Sequence, residues 1–208
     1  MAQSEGHSDT VFISRFNRVL AIVIWALTVV LMTTTLVTGG PNRALAIVPS
    51  AFFGLFAWTA LWRPYVRVSD ASVRIRNVLR TIDVPWTALI QVDTRYALTL
   101  YTPGHEYAAW AAPAPGRTGT TMARRAEHNG RVDAAPTVGG RVRPGDLLAS
   151  ESGQAAQIVR DHWTTLRDSG AIEAGVAEET HVPTHWHWWT NGALLVLAVA
   201  GLYALIAL

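Results

Sequence analysis

Five arginines crowd one short window: Arg63, Arg67, Arg74, Arg76 and Arg80, with Asp70 as the only acid among them. A guanidinium is a permanent cation with a planar fork of donors, so such a cluster suits a phosphate or carboxylate partner. Near a bilayer, each basic residue also attracts anionic headgroups by about 1 kcal/mol. These five are the candidate lipid- or partner-binding residues. The competing reading makes them membrane-orientation signals on the solvated faces of strands.

Three histidines form a second candidate. His181, His185 and His187 have a spacing at which imidazoles can ligate a metal, but Pro183 spoils a shared helical face. Packing within an aromatic-rich interfacial segment is the better reading, and no metal is expected. His105-Glu106 is an isolated pair at a hairpin turn, without a pocket that would make it an acid–base site. Arg124-Arg125 reads as a solvated pair in a loop.

The composition removes further chemistry. There is no cysteine, and all 17 Lys+Arg residues are arginine. Thiol nucleophiles, thiolate metal sites, the phosphate-binding lysine of P-loops, Schiff bases and Ser-Lys dyads are therefore excluded. The Gly-x-Ser-x-Gly, Gly-x-Gly-x-x-Gly, His-Glu-x-x-His and EF-hand patterns do not occur. No catalytic residue and no cofactor is expected, and the chain does not read as an enzyme.

Charged residues make up 15% of the chain against 50% hydrophobic, well below the roughly one quarter charged of an ordinary soluble domain. Three uncharged runs account for the deficit. Val19 to Val37 and Ala44 to Trp62 are each 19 residues long. At about 1.5 Å per residue each reaches roughly 28 Å, close to a hydrocarbon core of about 30 Å. Between them Thr38-Gly39-Gly40-Pro41-Asn42-Arg43 is turn chemistry, which makes the pair a hairpin. The third run is Thr190 to Leu208, preceded by Trp186, Trp188 and Trp189 where an aromatic belt would lie. The first run exceeds a signal-peptide core, and no small-x-small site follows it clearly. No Asp, Glu, His, Lys or Arg lies inside any of the three runs, which argues against a proton relay or an ion-coupled transporter.

Arginine counts orient the chain. Arg15 and Arg18 precede the first run and the five-arginine window follows the second, while the hairpin turn holds only Arg43. The positive-inside rule then places the N-terminus and the central domain in the cytoplasm and the C-terminus outside. The expected location is the cell inner membrane, with several passes.

From Tyr65 the pattern changes to alternation. Tyr65–Ser69, Ser72–Arg76, Arg80–Val84, Leu89–Val92, Tyr96–Tyr101 and His105–Trp110 read as six short strands of an antiparallel meander closing on itself. Asp70-Ala71, Asn77 to Leu79 and Pro103-Gly104 supply turns. Ala112 to Ser150 has few large apolar residues and reads as a long, mobile loop, with a helical turn or two at Met122 to His128. Glu151 to Ser169 is the clearest soluble helix: Ala155, Val159, Trp163 and Leu166 share a face with Ile158 beside them, and Gly170 stops it. Arg160, Asp161, Arg167 and Asp168 fall largely on the other side.

Val66 to Asp70, Val73 to Arg80, Val84-Pro85-Trp86 and Tyr96 to Tyr101 together resemble the bacterial pleckstrin-homology-like domains of actinobacterial membrane proteins, of the low-molecular-weight protein antigen 6 type. The resemblance covers roughly 63–112, and more loosely the helix at 151–169. It implies a seven-stranded bent sheet capped by one helix, and binding or scaffolding rather than catalysis. The 112–150 insertion and the third span depart from the simplest layout of that family.

The expected fold is an α+β membrane protein: an N-terminal transmembrane helical hairpin, a small PH-like antiparallel β sandwich or barrel capped by a helix, and a C-terminal transmembrane helix. Its parts are a cytoplasmic tail at 1–18, the hairpin at 19–62, the PH-like domain at 63–170 with its insertion, a linker at 171–189 and the last helix at 190–208. The expected partners are the lipid bilayer, a membrane protein or a second copy, and anionic headgroups; no nucleic acid is expected. The alternative is an accessory subunit of a larger transport or envelope-synthesis complex, contacted mainly through its membrane helices.

Overall fold

The computed structural model describes residues 9–38, 44–129, 146–172 and 177–206. The chain divides into two units: Met1–Ile13, Tyr65–Asn77 and Thr81–His185 form a sheet unit, and Ser14–Pro64, Val78–Arg80 and Trp186–Leu208 form a helical unit.

In the sheet unit the expected alternation becomes real strands, with apolar side chains turned inward. Strands β2 (Tyr65–Val68), β3 (Ser72–Arg76) and β4 (Arg80–Pro85) pair antiparallel in sequence order. Val66, Val68, Val73, Ile75, Ile82 and Val84 are all buried. Two short strands that the alternation does not reveal extend this sheet. Strand β1 (Thr10–Phe12) pairs with β2, Val11 opposite Arg67, and a last strand β8 (Thr184–Trp186) lies beside β4. Part of the expected N-terminal tail and part of the expected linker are therefore sheet edges. A second sheet joins β5 (Gln91–Asp93), β6 (Ala97–Thr102) and β7 (His105–Pro113). The expected strand at Leu89–Val92 starts later, because Trp86–Ala88 forms a 3-10 turn right after Pro85. Trp86 is buried at this corner, and its indole Nε1 donates to Ser69 O at 2.9 Å.

Helices α3 (Arg117–His128) and α4 (Glu151–Asp168) follow. The first extends well beyond the turn or two expected there, so the 112–150 segment is not simply loop; its residues 130–145 lie outside those described. Helix α4 carries Ala155, Ala156 and Val159 into the core, with Ile158, Trp163 and Leu166 partly buried against it. Ser150 caps it by accepting from Gly153 N at 3.0 Å. Gly170, at φ +73°, ends it in the left-handed region that glycine tolerates. Arg160 does not point away from the fold: its Nη2 donates to Asp146 Oδ1 at 3.1 Å and to Val92 O at 3.2 Å.

In the helical unit, α1 (Arg15–Thr38) packs on α2 (Ala44–Ala57), which continues through a π-helical turn at Trp58–Trp62, and α5 (Trp188–Ile206) packs on α2. Trp25 of α1 donates its indole N–H to Gly54 O of α2 at 3.0 Å. Its ring lies 5.2 Å from that of Trp62. Among the described residues α1 alone is long and apolar enough to cross a membrane. The expected second and third spans are apolar but shorter, at Ile47–Trp62 and Trp188–Ala204. At 1.5 Å per residue these reach only about 24–26 Å. The hairpin turn at 39–43, with Arg43, lies outside the described residues.

Candidate functional site

The outer face of the five-stranded sheet carries three of the candidate arginines. Period-two alternation buries Val66, Val73 and Ile75, and so turns Arg67, Arg74 and Arg76 outward. Pairing then sets Arg67 directly opposite Arg74, Arg74 opposite Asp83, and Tyr65 opposite Arg76. Two like charges face to face cost stability, and Asp83 on the next strand offsets that cost. Arg74 Nε donates to Asp83 Oδ1 across β3 and β4. This hydrogen bond, and then the charge of Asp83, hold the Arg74 guanidinium above its ordinary pKa against a small opposing effect of burial.

Arg67 and Arg76 share Tyr65, with their guanidinium carbons 5.6 and 5.7 Å from its ring centre. Arg67 also faces Asp9 at 4.0 Å, an exposed pair of little energetic weight. The Nε atoms of Arg67 and Arg76 are buried without a hydrogen-bond partner. The face thus presents two cations steadied by one aromatic ring beside a third neutralised by Asp83. It can receive an anion at Arg67 and Arg76, while Arg74 would first have to leave its carboxylate.

Arg63 and Arg80 belong to the helical unit. Arg63 stacks on Trp58 at 5.2 Å, and its Nη1 donates to Thr190 Oγ1 at 3.4 Å. Arg80 lies over Trp186 at 5.5 Å. The turn leading to Arg80 is held by the start of α5. His187 N and Asn191 Nδ2 donate to Leu79 O at 2.9 and 3.1 Å, and His187 Nδ1 is 3.2 Å from Val78 O. Trp188 and Trp189 open α5 almost fully exposed, at 74% and 93%. Guanidinium–indole stacks with exposed tryptophans are the chemistry of a polar–apolar boundary.

Among the described residues no group of three His, Cys, Asp or Glu side chains is placed to hold a metal ion. His187 is instead engaged with the Val78–Leu79 turn. His105 stacks on Tyr107 at 6.1 Å. Arg124 and Arg125 fall within α3.

Sequence reasoning passed over two arginines as mere orientation signals. Arg18 of α1 lies over the Trp62 ring at 4.8 Å, and Arg15 lies one turn before it. Their spacing of three on a helix, together with a tryptophan at the end of the next helix, was the available signal.

Comparison with known proteins adds one match. No curated protein and no solved structure matches the chain. Residues 63–146 match the family model for the bacterial PH domain, so this α+β segment with its antiparallel sheets is PH-like.

Proposed function

We propose that the chain is a membrane-anchored, non-enzymatic interaction module that holds its PH-like domain at the cytoplasmic face of the inner membrane, where the domain engages a membrane protein, a second copy or anionic lipid. The observation that carries this reading is a PH-like domain in the same chain as α1, an apolar helix of membrane-spanning length. The tryptophan–arginine stacks at Arg18, Arg63 and Arg80 support it, because such groups favour headgroup depth. The arginine bias around the apolar runs favours the cytoplasmic orientation.

Alkaline carbonate extraction of native membranes tests the anchoring: the full chain stays in the pellet. Deleting 63–170 should then abolish partner association while leaving insertion intact. If the helices alone recruit the partner, the module reading fails.

A crevice between α1 and α2 favours a second reading, the accessory subunit. It measures about 230 Å³ and is lined by Ile24, Leu27, Thr28, Leu31, Ser50 and Phe53. Ser50 is 2% exposed, and its hydroxyl has no hydrogen-bond partner. A Cβ at Gly54 would meet nothing within 4 Å, and one at Gly201 only Val48 Cγ1 at 3.9 Å. Packing within the chain therefore does not require these glycines, and a close-approaching foreign helix would use them. Gly54→Leu that leaves a native complex intact would count against this reading.

A further inference from the structure

We infer that Arg18, on the platform of Trp62, and its helix neighbour Arg15 form a phosphate-binding site at the end of the helical unit, distinct from the strand arginines. The inference rests on the membrane reading above and names the ligand class of one of its surfaces: a phosphate-bearing anion, supplied by an anionic phospholipid headgroup.

Charge comes first. The first turn of α1 contains no acidic residue, and among the described residues neither Arg15 nor Arg18 has a carboxylate within ion-pair distance. Two cations at a helix N-terminus oppose its dipole, so helix stability does not explain them. Arg74, by contrast, is already neutralised by Asp83.

Geometry comes second. The Arg18 guanidinium lies 4.8 Å above the Trp62 ring, and Trp62 is backed by Trp25 at 5.2 Å. Trp25 is in turn fixed to Gly54 O. This stack holds the guanidinium over the indole before a ligand arrives. Its Nε is buried without a partner, so only the Nη1–Nη2 end is left to meet a ligand. That end offers a two-pronged match to phosphate oxygens. Arg15, three residues earlier and exposed, lies on the same side of the helix. Lysine at position 18 would keep the charge but lose the planar fork that lies on the indole and meets phosphate oxygens in pairs.

The test uses the full chain purified in a non-ionic detergent. It is titrated with phosphatidylglycerol or phosphatidylcholine, and retained lipid is counted by native mass spectrometry. Wild type retains phosphatidylglycerol over phosphatidylcholine, and Arg15→Gln/Arg18→Gln lowers that retention about tenfold. Arg18→Lys keeps the charge and still loses most of the effect, while Arg167→Gln, at an exposed position near the end of α4, changes nothing. Competition by inorganic phosphate would identify the phosphate group as the recognised element, whereas lipid binding without such competition would require the attached chains; either result supports the site. Equal retention by the double variant, by Arg18→Lys, or of phosphatidylcholine overturns it. Release of the chain by carbonate would instead sink the membrane reading, and a phosphate effect lost in the double variant would still stand.

Discussion

Asn77 acts as a one-residue strand for Trp110: its side-chain Oδ1 accepts from Trp110 N at 2.8 Å while its Nδ2 donates to Ala108 O at 2.8 Å. The amide reproduces the acceptor–donor pair of a neighbouring peptide, and so completes β7 just past the end of β3. Asn77→Ala leaves both backbone groups to water. Because the site is exposed, the expected loss is about 1 kcal/mol, read as a lower thermal midpoint of the full chain in detergent. Asn77→Asp keeps the acceptor but sets a carboxylate against Ala108 O, and should be no better than alanine.

Gly153 should tolerate no side chain. A Cβ there would lie 2.1 Å from Leu147 O and 3.0 Å from the capping Ser150 Oγ. Gly153→Ala must push the segment before α4 away or break its cap. The expected cost is about 3 kcal/mol, measured by chemical denaturation.

Tyr101 should ionise late. Burial, then the hydrogen bond and charge of Glu106, push the Tyr101 phenol above its ordinary 10.0. A raised phenol pKa means that the folded state keeps a proton which the unfolded state has begun to lose. Stability from this group is therefore fully present below pH 10 and declines as pH rises through the raised value. Ultraviolet titration of tyrosinate should show a late component that Tyr101→Phe removes. Glu106→Gln should move it down only part of the way, since burial is the larger cause.

Trp25→Phe tests the contact between α1 and α2. The ring stack on Trp62 survives, but Gly54 O loses its donor. In an apolar surrounding such interhelical bonds contribute about 0.6–1.7 kcal/mol. A cysteine pair engineered across α1 and α2 should cross-link more slowly in the variant; unchanged cross-linking would show that the bond does not hold the helices together.

The arginine window shows how far proximity in sequence misleads. Arg63, Arg67, Arg74, Arg76 and Arg80 are close neighbours along the chain, yet Arg63 and Arg80, the first residue of β4, group with the helical unit and the other three with the sheet unit. Charge counting sees only their number. Register decides that Arg74 faces Asp83 and that Arg67 and Arg76 share Tyr65, because a shift of one residue would turn every side chain to the other face.

The sequence by itself determined the strands from Tyr65 to Trp110, the helix beginning at Glu151 and the apolar helix α1. In the strands and in the helix at Glu151 the side chains that must leave water recur with the period of the element that buries them, and in α1 an unbroken run without charges gives the signal. Val73 and Ile75 specify a strand, and Ala155 and Val159 a helix, before any partner is known. Only the tertiary structure decided that Thr10–Phe12 and Thr184–Trp186 are strands, that Asn77 completes β7 and that Arg18 lies on Trp62. Three-residue strands have no period to detect, and a single amide or guanidinium acquires its role from a backbone or ring dozens of residues away. Those relations are set by packing, where the free energy depends on which surfaces meet rather than on the order in which they are encoded.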